Sequence, residues 1–209
     1  MRQRFLYLSI SLCLFLFYGC VDATETNTQS NKSNDYNITL QDGQLTINGH
    51  NLAMPMPVHE VTQKIGGYSR FAAKGNDIYT WDENGFILWS RLNQKTIFEI
   101  GVYIKKKKPV AKDRTLASGQ IFIDSRPKQD FSGTFILDRV NITQRLTFET
   151  LNAKKSGPKF NRTHWADQFK YYSKIADTGQ SYRVIVYLNK NRTINYIEIV
   201  YTEEPSIRK

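Results

Sequence analysis

Residues 182–201 read YRVIVYLNKNRTINYIEIVY, and this stretch decides the fold. Two runs rich in Val, Ile and Tyr, Tyr182 to Leu188 and Thr193 to Tyr201, flank the polar triplet Asn189-Lys190-Asn191. Branched and aromatic side chains suit a pleated, half-buried surface, and a short polar break between two such runs turns them back on each other as an antiparallel hairpin. Upstream, Trp165 to Ile175 (WADQFKYYSKI) sets Trp165, Phe169, Tyr172 and Ile175 near helical spacing, which predicts a short helix. Before it come two strand-like runs, Phe131 to Leu137 and Val140 to Ile142, and a predicted helix over Gln144 to Ala153 with Leu146 and Leu151 apolar.

The first half reads in the same order. Tyr36 to Leu40 and Gln44 to Ile47 alternate around Asp42-Gly43, a strong hairpin signal, and Asn48-Gly49 makes a second turn. Met54-Pro55-Met56-Pro57 is extended, because residues before proline avoid the helical region. Val58 to Ile65 then places Val58, Val61 and Ile65 on one helical face, with Pro57 at its start and Gly66-Gly67 at its stop. Three strands follow: Asp77 to Trp81, Phe86 to Ser90 after the turn Asp82-Glu83-Asn84-Gly85, and Thr96 to Ile104. The expected class is α+β, dominated by antiparallel sheet with short helices. The order of elements suggests two related helix-plus-sheet units, over residues 36–110 and 111–209.

The chain carries 29 Lys and Arg against 19 Asp and Glu, a formal charge of +10. Such a balance favours an acidic partner, an anionic lipid surface or a cell-wall polymer. The densest basic run is Lys105-Lys106-Lys107-Lys108. It reads either as a solvated loop closing a strand or as a contact point. No recognisable nucleic-acid-binding motif is present.

The amino terminus is a separate region. Met1-Arg2-Gln3-Arg4 is basic, Phe5 to Tyr18 is almost wholly apolar, and Gly19-Cys20 follows. The apolar run is too short for a bilayer span, which needs about 20 residues, and it has the pattern of a cleavable signal. Gly19-Cys20 makes residues 1–20 resemble the signal of bacterial lipoproteins, although Phe17 and Tyr18 depart from the residues that family prefers before Gly-Cys. The resemblance implies a signal peptide over 1–19 and acylation of Cys20, with anchorage in the cell envelope. Cys13 leaves with the signal, so Cys20 becomes the only mature thiol and no internal disulfide is available. Val21 in place of Asp implies, by the same resemblance, the outer membrane facing the periplasm. Residues 20–35 contain almost no apolar side chain and read as a lipidated cysteine followed by a flexible tether.

Two further stretches resemble known envelope domains. Residues 57–70, PVHEVTQKIGGYSR, are similar to the helix-and-glycine opening of small domains of the outer-membrane assembly lipoprotein and beta-lactamase-inhibitor type, with Tyr68 where that pattern has proline. The run from Ile38 to Asn51, with Asp77 to Phe86, resembles an uncharacterised domain of bacterial exported proteins. Neither resemblance carries functional residues across.

A search for chemistry finds little. His50, His59 and His164 lie in unrelated contexts, Gln63 stands where a zinc helix would place its second histidine, and paired cysteines are lacking. No nucleophile elbow, penicillin-binding triad or phosphate-cradling loop occurs. Asp82 and Glu83 would point to opposite faces of a strand, which suits a turn better than an acid/base pair. The expectation is therefore a non-enzyme with no metal and no cofactor. Recognition surface remains. Trp81 and Trp89 flank one tight turn, and most of the aromatics there belong to the core while one or two stand as contact anchors. With Lys105, Lys106, Lys107, Lys108 and Tyr171 they form the candidate partner-binding set. The expected role is binding of a protein, an acidic toxin among the candidates, as an immunity or inhibitor lipoprotein. The alternative is an accessory lipoprotein of envelope assembly or the cell wall.

Overall fold

The computed structural model describes residues 36–73, 76–91, 94–106, 114–115, 121–122 and 124–202. Residues 1–19, read above as a signal, Cys20, residues 21–35, read above as a tether, Lys107 and Lys108 lie outside the described residues.

The first half contains β1 (Asn37–Gln41), β2 (Gln44–Ile47), β3 (His50–Leu52), β4 (Met56–Pro57), α1 (Val58–Ile65), β5 (Arg70–Ala73), β6 (Asn76–Trp81), β7 (Phe86–Arg91) and β8 (Thr96–Tyr103). Two short strands, β9 (Arg114–Thr115) and β10 (Ile121–Phe122), pair with each other. The second half contains β11 (Thr134–Leu137), β12 (Val140–Ile142), α2 (Phe148–Lys154), β13 (Asn161–Arg162), β14 (Gln168–Lys174), β15 (Ser181–Leu188) and β16 (Ile194–Tyr201). The class is α+β with low helix content.

Five strands form one sheet in the order β12-β11-β1-β2-β3. Nine form the other, in the order β13-β14-β15-β16-β8-β7-β6-β5 with β4 beside β8. Each sheet draws strands from both halves, and the described residues fall in one compact unit. The stretches 36–110 and 111–209 are therefore not separate packing units. All pairings in the large sheet are antiparallel, whereas β1 lies parallel to β11 in the small one. Inward side chains of both sheets and both helices share one core, including Ile38, Leu40, Leu137, Ile100, Ile197 and Leu151, each at 0% exposure.

The two halves repeat one topology. In each, a tight hairpin (β2–β3, β11–β12) leads to a helix (α1, α2) and then to a four-strand meander (β5–β8, β13–β16). Positions correspond closely. Ile47 pairs with His50 around Asn48-Gly49, and Leu137 with Val140 around Asp138-Arg139, all four turn residues having positive φ. Such backbones give the turn whose twist matches the flanking strands. Pro57 precedes α1 and Thr147 precedes α2. The next amide in each case, Val58 or Phe148, donates to a carbonyl (Lys95 or Arg192) whose residue also has positive φ. Even the bulges coincide, since β7–β8 slips between Trp89 and Ser90, and β15–β16 between Tyr187 and Leu188. The meanders meet at β8 and β16. In the small sheet the equivalent strands β2 and β11 flank β1, with Thr39 opposite both Thr46 and Ile136. Strand β1 has no counterpart.

The predicted helix over Trp165 to Ile175 is a strand, β14. Phe169 and Tyr171 are buried while Tyr172 and Lys174 are exposed, and the whole run pairs with β15. A pleat buries every second residue, so partnership with an already formed hairpin overrides the loose helical spacing. Helix α2 is also shorter than expected. It begins at Phe148, where the Thr147 hydroxyl accepts from the Thr150 amide at 3.3 Å, as a threonine N-cap does.

Candidate recognition surface

The large sheet has two faces, and the small sheet and helices share a core with one of them. Strands β7, β8, β15 and β16 alternate, so Leu88, Ile100, Val102, Val184, Val186, Ile197 and Ile199 point into the core. Trp89, Glu99, Gly101, Tyr103, Arg183, Tyr187, Tyr196 and Glu198 occupy the opposite face.

Around the β8–β16 junction this outer face is aromatic. Tyr103 and Tyr196 are directly opposite each other with ring centroids 4.5 Å apart, and Tyr187 lies 5.2 Å from Tyr196. Gly101 makes the arrangement possible. A Cβ there would come 2.2 Å from the Tyr196 hydroxyl and 2.7 Å from the Trp89 ring, so both side chains lie across the bare backbone of Gly101. Beside it, Ile78, Ile87 and Ala72 form a small apolar cluster against which Trp89 and Tyr103 pack.

Two carboxyls sit among these rings. Glu198 accepts from the Tyr187 hydroxyl at 3.0 Å and faces the Arg183 guanidinium at 3.9 Å. Glu99 stands across the strand from Trp89 and makes no hydrogen bond or ion pair with the described residues. Burial first, and the Glu198 charge second, push the Glu99 carboxyl up to about 8 against the smaller opposing pull of Arg183. Burial likewise raises Glu198, and Tyr187 is pushed up to about 12 by burial and by the Glu198 charge.

A strap of residues frames one side of this face. Asp82, 1% exposed, receives Arg70 at 2.6 and 2.8 Å and the Lys128 amide at 3.1 Å. The same Arg70 donates to the carbonyls of Asp124 and Arg126 at 3.0 and 2.7 Å. Asp82 is thus a buckle between β6 and the segment after residue 123, consistent with turn chemistry at this hairpin.

The candidate residues from sequence part company here. Trp89 lies on the outer face, half-buried. Trp81 and Tyr171 do not: each is 1% exposed and belongs to the core. They hold equivalent places in the two meanders, Trp81 stacked on Phe86 at 4.9 Å and Tyr171 against Phe160 at 4.9 Å. Neither can touch a partner. The helical spacing grouped Tyr172 with Trp165, Phe169 and Ile175, whereas in the pleat Tyr171 is buried and Tyr172 is exposed. Lys105 is exposed at the end of β8, but Lys106 is held by the Lys128 carbonyl at 2.6 Å and by Asp130 at 3.4 Å. Glu99, Glu198, Tyr103, Tyr187 and Tyr196 were missed. The complement of the apolar alternation in Thr96 to Ile104 and Thr193 to Tyr201 is the signal that could have found them.

Elsewhere the described residues offer little convergent chemistry. Two clefts open at equivalent places in the repeat. One of about 410 Å³ is lined by Leu52, Met54, Ile175 and Tyr201, and one of about 290 Å³ by Ile142, Gln144, Gly133 and Ile104. Asp177 is the only charged side chain lining either. His50, His59 and His164 are exposed and lie on β3, on α1 and between β13 and β14. No group of three or more His, Cys, Asp or Glu among the described residues could hold a metal ion.

Residues 37–152, from β1 into α2, match a family described as Domain of unknown function (DUF7738). No curated protein and no solved structure matches the chain.

Proposed function

The chain belongs to the DUF7738 family, and from that premise we propose that it is a binding protein of the cell envelope, anchored by lipid on Cys20 and acting without catalysis. The observation that carries the proposal is the outer face of the large sheet. It carries Trp89, Tyr103, Tyr187 and Tyr196, each half-buried, on rigid strands. Aromatic side chains on a stiff scaffold lose little conformational freedom on contact and dominate binding hot spots. The repeated order of elements supports reading the chain as two copies of one unit joined through β8 and β16, which gives the domain a sheet wide enough for such a surface.

The specific role proposed is that of an immunity or inhibitor protein that neutralises a toxic effector in the periplasm. A lipid tether keeps the domain where such an effector arrives, and a basic balance, +10 over the full chain and about +8 once Arg2 and Arg4 leave with the signal, speeds capture of an acidic partner at long range. The test is contact killing. A strain lacking the protein is expected to be killed by toxin-delivering siblings and rescued by the wild-type chain. A Trp89→Ala chain of equal abundance and melting temperature is expected not to rescue. Survival of the deletion strain overturns the immunity role; full rescue by Trp89→Ala overturns the surface.

A further inference from the structure

We infer that the centre of the outer sheet face receives a positively charged side chain, arginine or lysine, from a protein partner, with Glu99 and Glu198 as the anionic groups and Trp89, Tyr103, Tyr187 and Tyr196 as the aromatic surround. This rests on the recognition-surface reading above and names what that surface takes at its middle.

The charge count on the face is the first argument. Among the described residues, the titratable and charged groups around Glu99 on this face are Glu198 and Tyr196 on β16, Arg183 and Tyr187 on β15, and Tyr103 on its own strand, on which Arg126 and Asp124 act in turn, with the neutral Trp89 directly across on β7. Arg91, at the end of β7, is turned over the Phe98 ring at 5.9 Å. Among the described residues Arg183 is the one cation that acts on the pair, and at 3.9 Å from Glu198 it is beyond hydrogen-bond range. Two carboxyls thus share one distant guanidinium, on a chain that is strongly basic as a whole. Nothing in the architecture requires this. A part-buried carboxyl such as Glu99, with no hydrogen bond among the described residues, is a cost.

The second argument is the chemistry of the surround. The faces of Trp and Tyr rings attract cations, and a carboxylate adds a charge-assisted hydrogen bond to a guanidinium or ammonium. Gly101, by letting the Trp89 and Tyr196 rings lie against the backbone, places π-surface next to the Glu198 carboxyl across the strand pair. Desolvated arginine in an aromatic ring of contacts is a recurrent hot spot. A cation arriving here also opposes the burial and the Glu198 charge that together raise Glu99: it favours the ionised carboxylate and pairs with it.

The probe is arginine amide, with citrulline amide as its uncharged isostere, added to the soluble chain from residue 21 carrying carbon-13-labelled glutamate. Arginine amide is expected to lower the titration midpoint of Glu99, and its affinity to rise about tenfold between pH 6.5 and 8.5 as Glu99 ionises. Citrulline amide is expected to do neither. Glu99→Gln removes the pH dependence while leaving the melting temperature equal or higher, so that folding and binding are read separately. Equal binding of the two amides, no shift at Glu99, or an undiminished pH dependence in Glu99→Gln overturns the inference. If Trp89→Ala abolishes rescue in the killing assay while arginine amide has no effect, the surface stands and its cationic occupant falls. If arginine amide binds but Trp89→Ala rescues fully, the cation site exists and the recognition surface is not the one proposed.

Discussion

The two repeated units solve the same packing problem with different chemistry. In the first, the position at the end of the helix is Ile65, the residue on the inner meander strand is Trp81, and the hairpin turn carries Asn48. Ile65 and Trp81 are 5% and 1% exposed, while Asn48 lies outside and accepts the Asn37 amide at 2.9 Å. In the second, the matching residues are Lys155, Tyr171 and Asp138, and all three are buried. The Lys155 ammonium lies 3.0 Å from Asp138, donates to the carbonyls of Ser156 and Pro158 at 2.7 and 2.6 Å, and sits 4.2 Å over the Tyr171 ring. The Tyr171 hydroxyl donates to the same carboxylate at 2.7 Å. Burial lowers the Lys155 ammonium from its usual range, against the pull of Asp138, and raises Tyr171. One topology therefore accepts either an apolar corner or a fully hydrogen-bonded ionic one. What the backbone dictates is that the corner be filled and satisfied, not with what.

The sharpest way to break this comparison is to remove one member of the ionic corner. Asp138→Ala strands a buried ammonium and a hydroxyl, and is expected to cost about 3–5 kcal/mol in urea unfolding. The transplant Asp138→Asn, Lys155→Ile, Tyr171→Trp, which copies the first unit, is expected to fall within about 1–2 kcal/mol of wild type on either side. A transplant as damaging as Asp138→Ala would show that the two corners are not interchangeable.

A next effect concerns the outer face, where the units also differ, Glu99 matching Tyr196 and Gly101 matching Glu198. Because Glu99 is held at about 8 in the folded chain and titrates near the ordinary carboxylate range when unfolded, the folded state binds the extra proton between those values. Stability is then greatest at acidic pH and falls as pH rises through about 8, on the order of 2–3 kcal/mol after allowance for partial solvation. Glu99→Gln is expected to flatten that slope in melts at pH 5, 7 and 9. A slope of unchanged size would place its origin elsewhere.

Gly101→Ala is expected to cost about 1–3 kcal/mol, because the new methyl displaces Trp89 and Tyr196. The chemically opposite trimming, Glu198→Ala, leaves those rings in place and is expected to cost less. Smallest is the helix start: Thr147→Ala loses a cap worth about 1 kcal/mol, whereas Pro57→Ala, at a start with no side-chain cap, is expected to lose less. Denaturant midpoints compare both pairs.

Much of the frame was legible in the residues. Helix α1 matches the Val58 to Ile65 prediction to the residue, because Pro57 and Gly66 punctuate both ends. The hairpins at Asp42-Gly43 and Asn48-Gly49 follow from turn chemistry alone. The failure at Trp165 to Ile175 has a physical cause. FKYYSK carries aromatics at both adjacent positions, so periodicity is ambiguous until β15 selects a face. The surface proposed for recognition was read in part for the same reason. Trp89 could be nominated from composition, but Trp81, on the next strand, faces the other way, and its side is decided by pairing with Phe86. The ionic corner was invisible, since Asp138, Lys155 and Tyr171 are far apart in the chain and each alone reads as surface.

Strand β1 has a consequence for the order in which the molecule can be completed. It is the middle of the small sheet, yet one of its neighbours, β11, is encoded in the second half, with Thr39 waiting for Ile136. The large sheet has the same dependence, since β8 acquires its central partner only when β16, the last strand described, arrives. A chain emerging amino terminus first from a ribosome or a translocation pore would hold the edge of β1 open until β11 is out, and the edge of β8 open until β16 is free. Such a chain is slow to close and is a natural client for a holding chaperone. Truncation before Ile194 should therefore leave an aggregating species rather than a stable half.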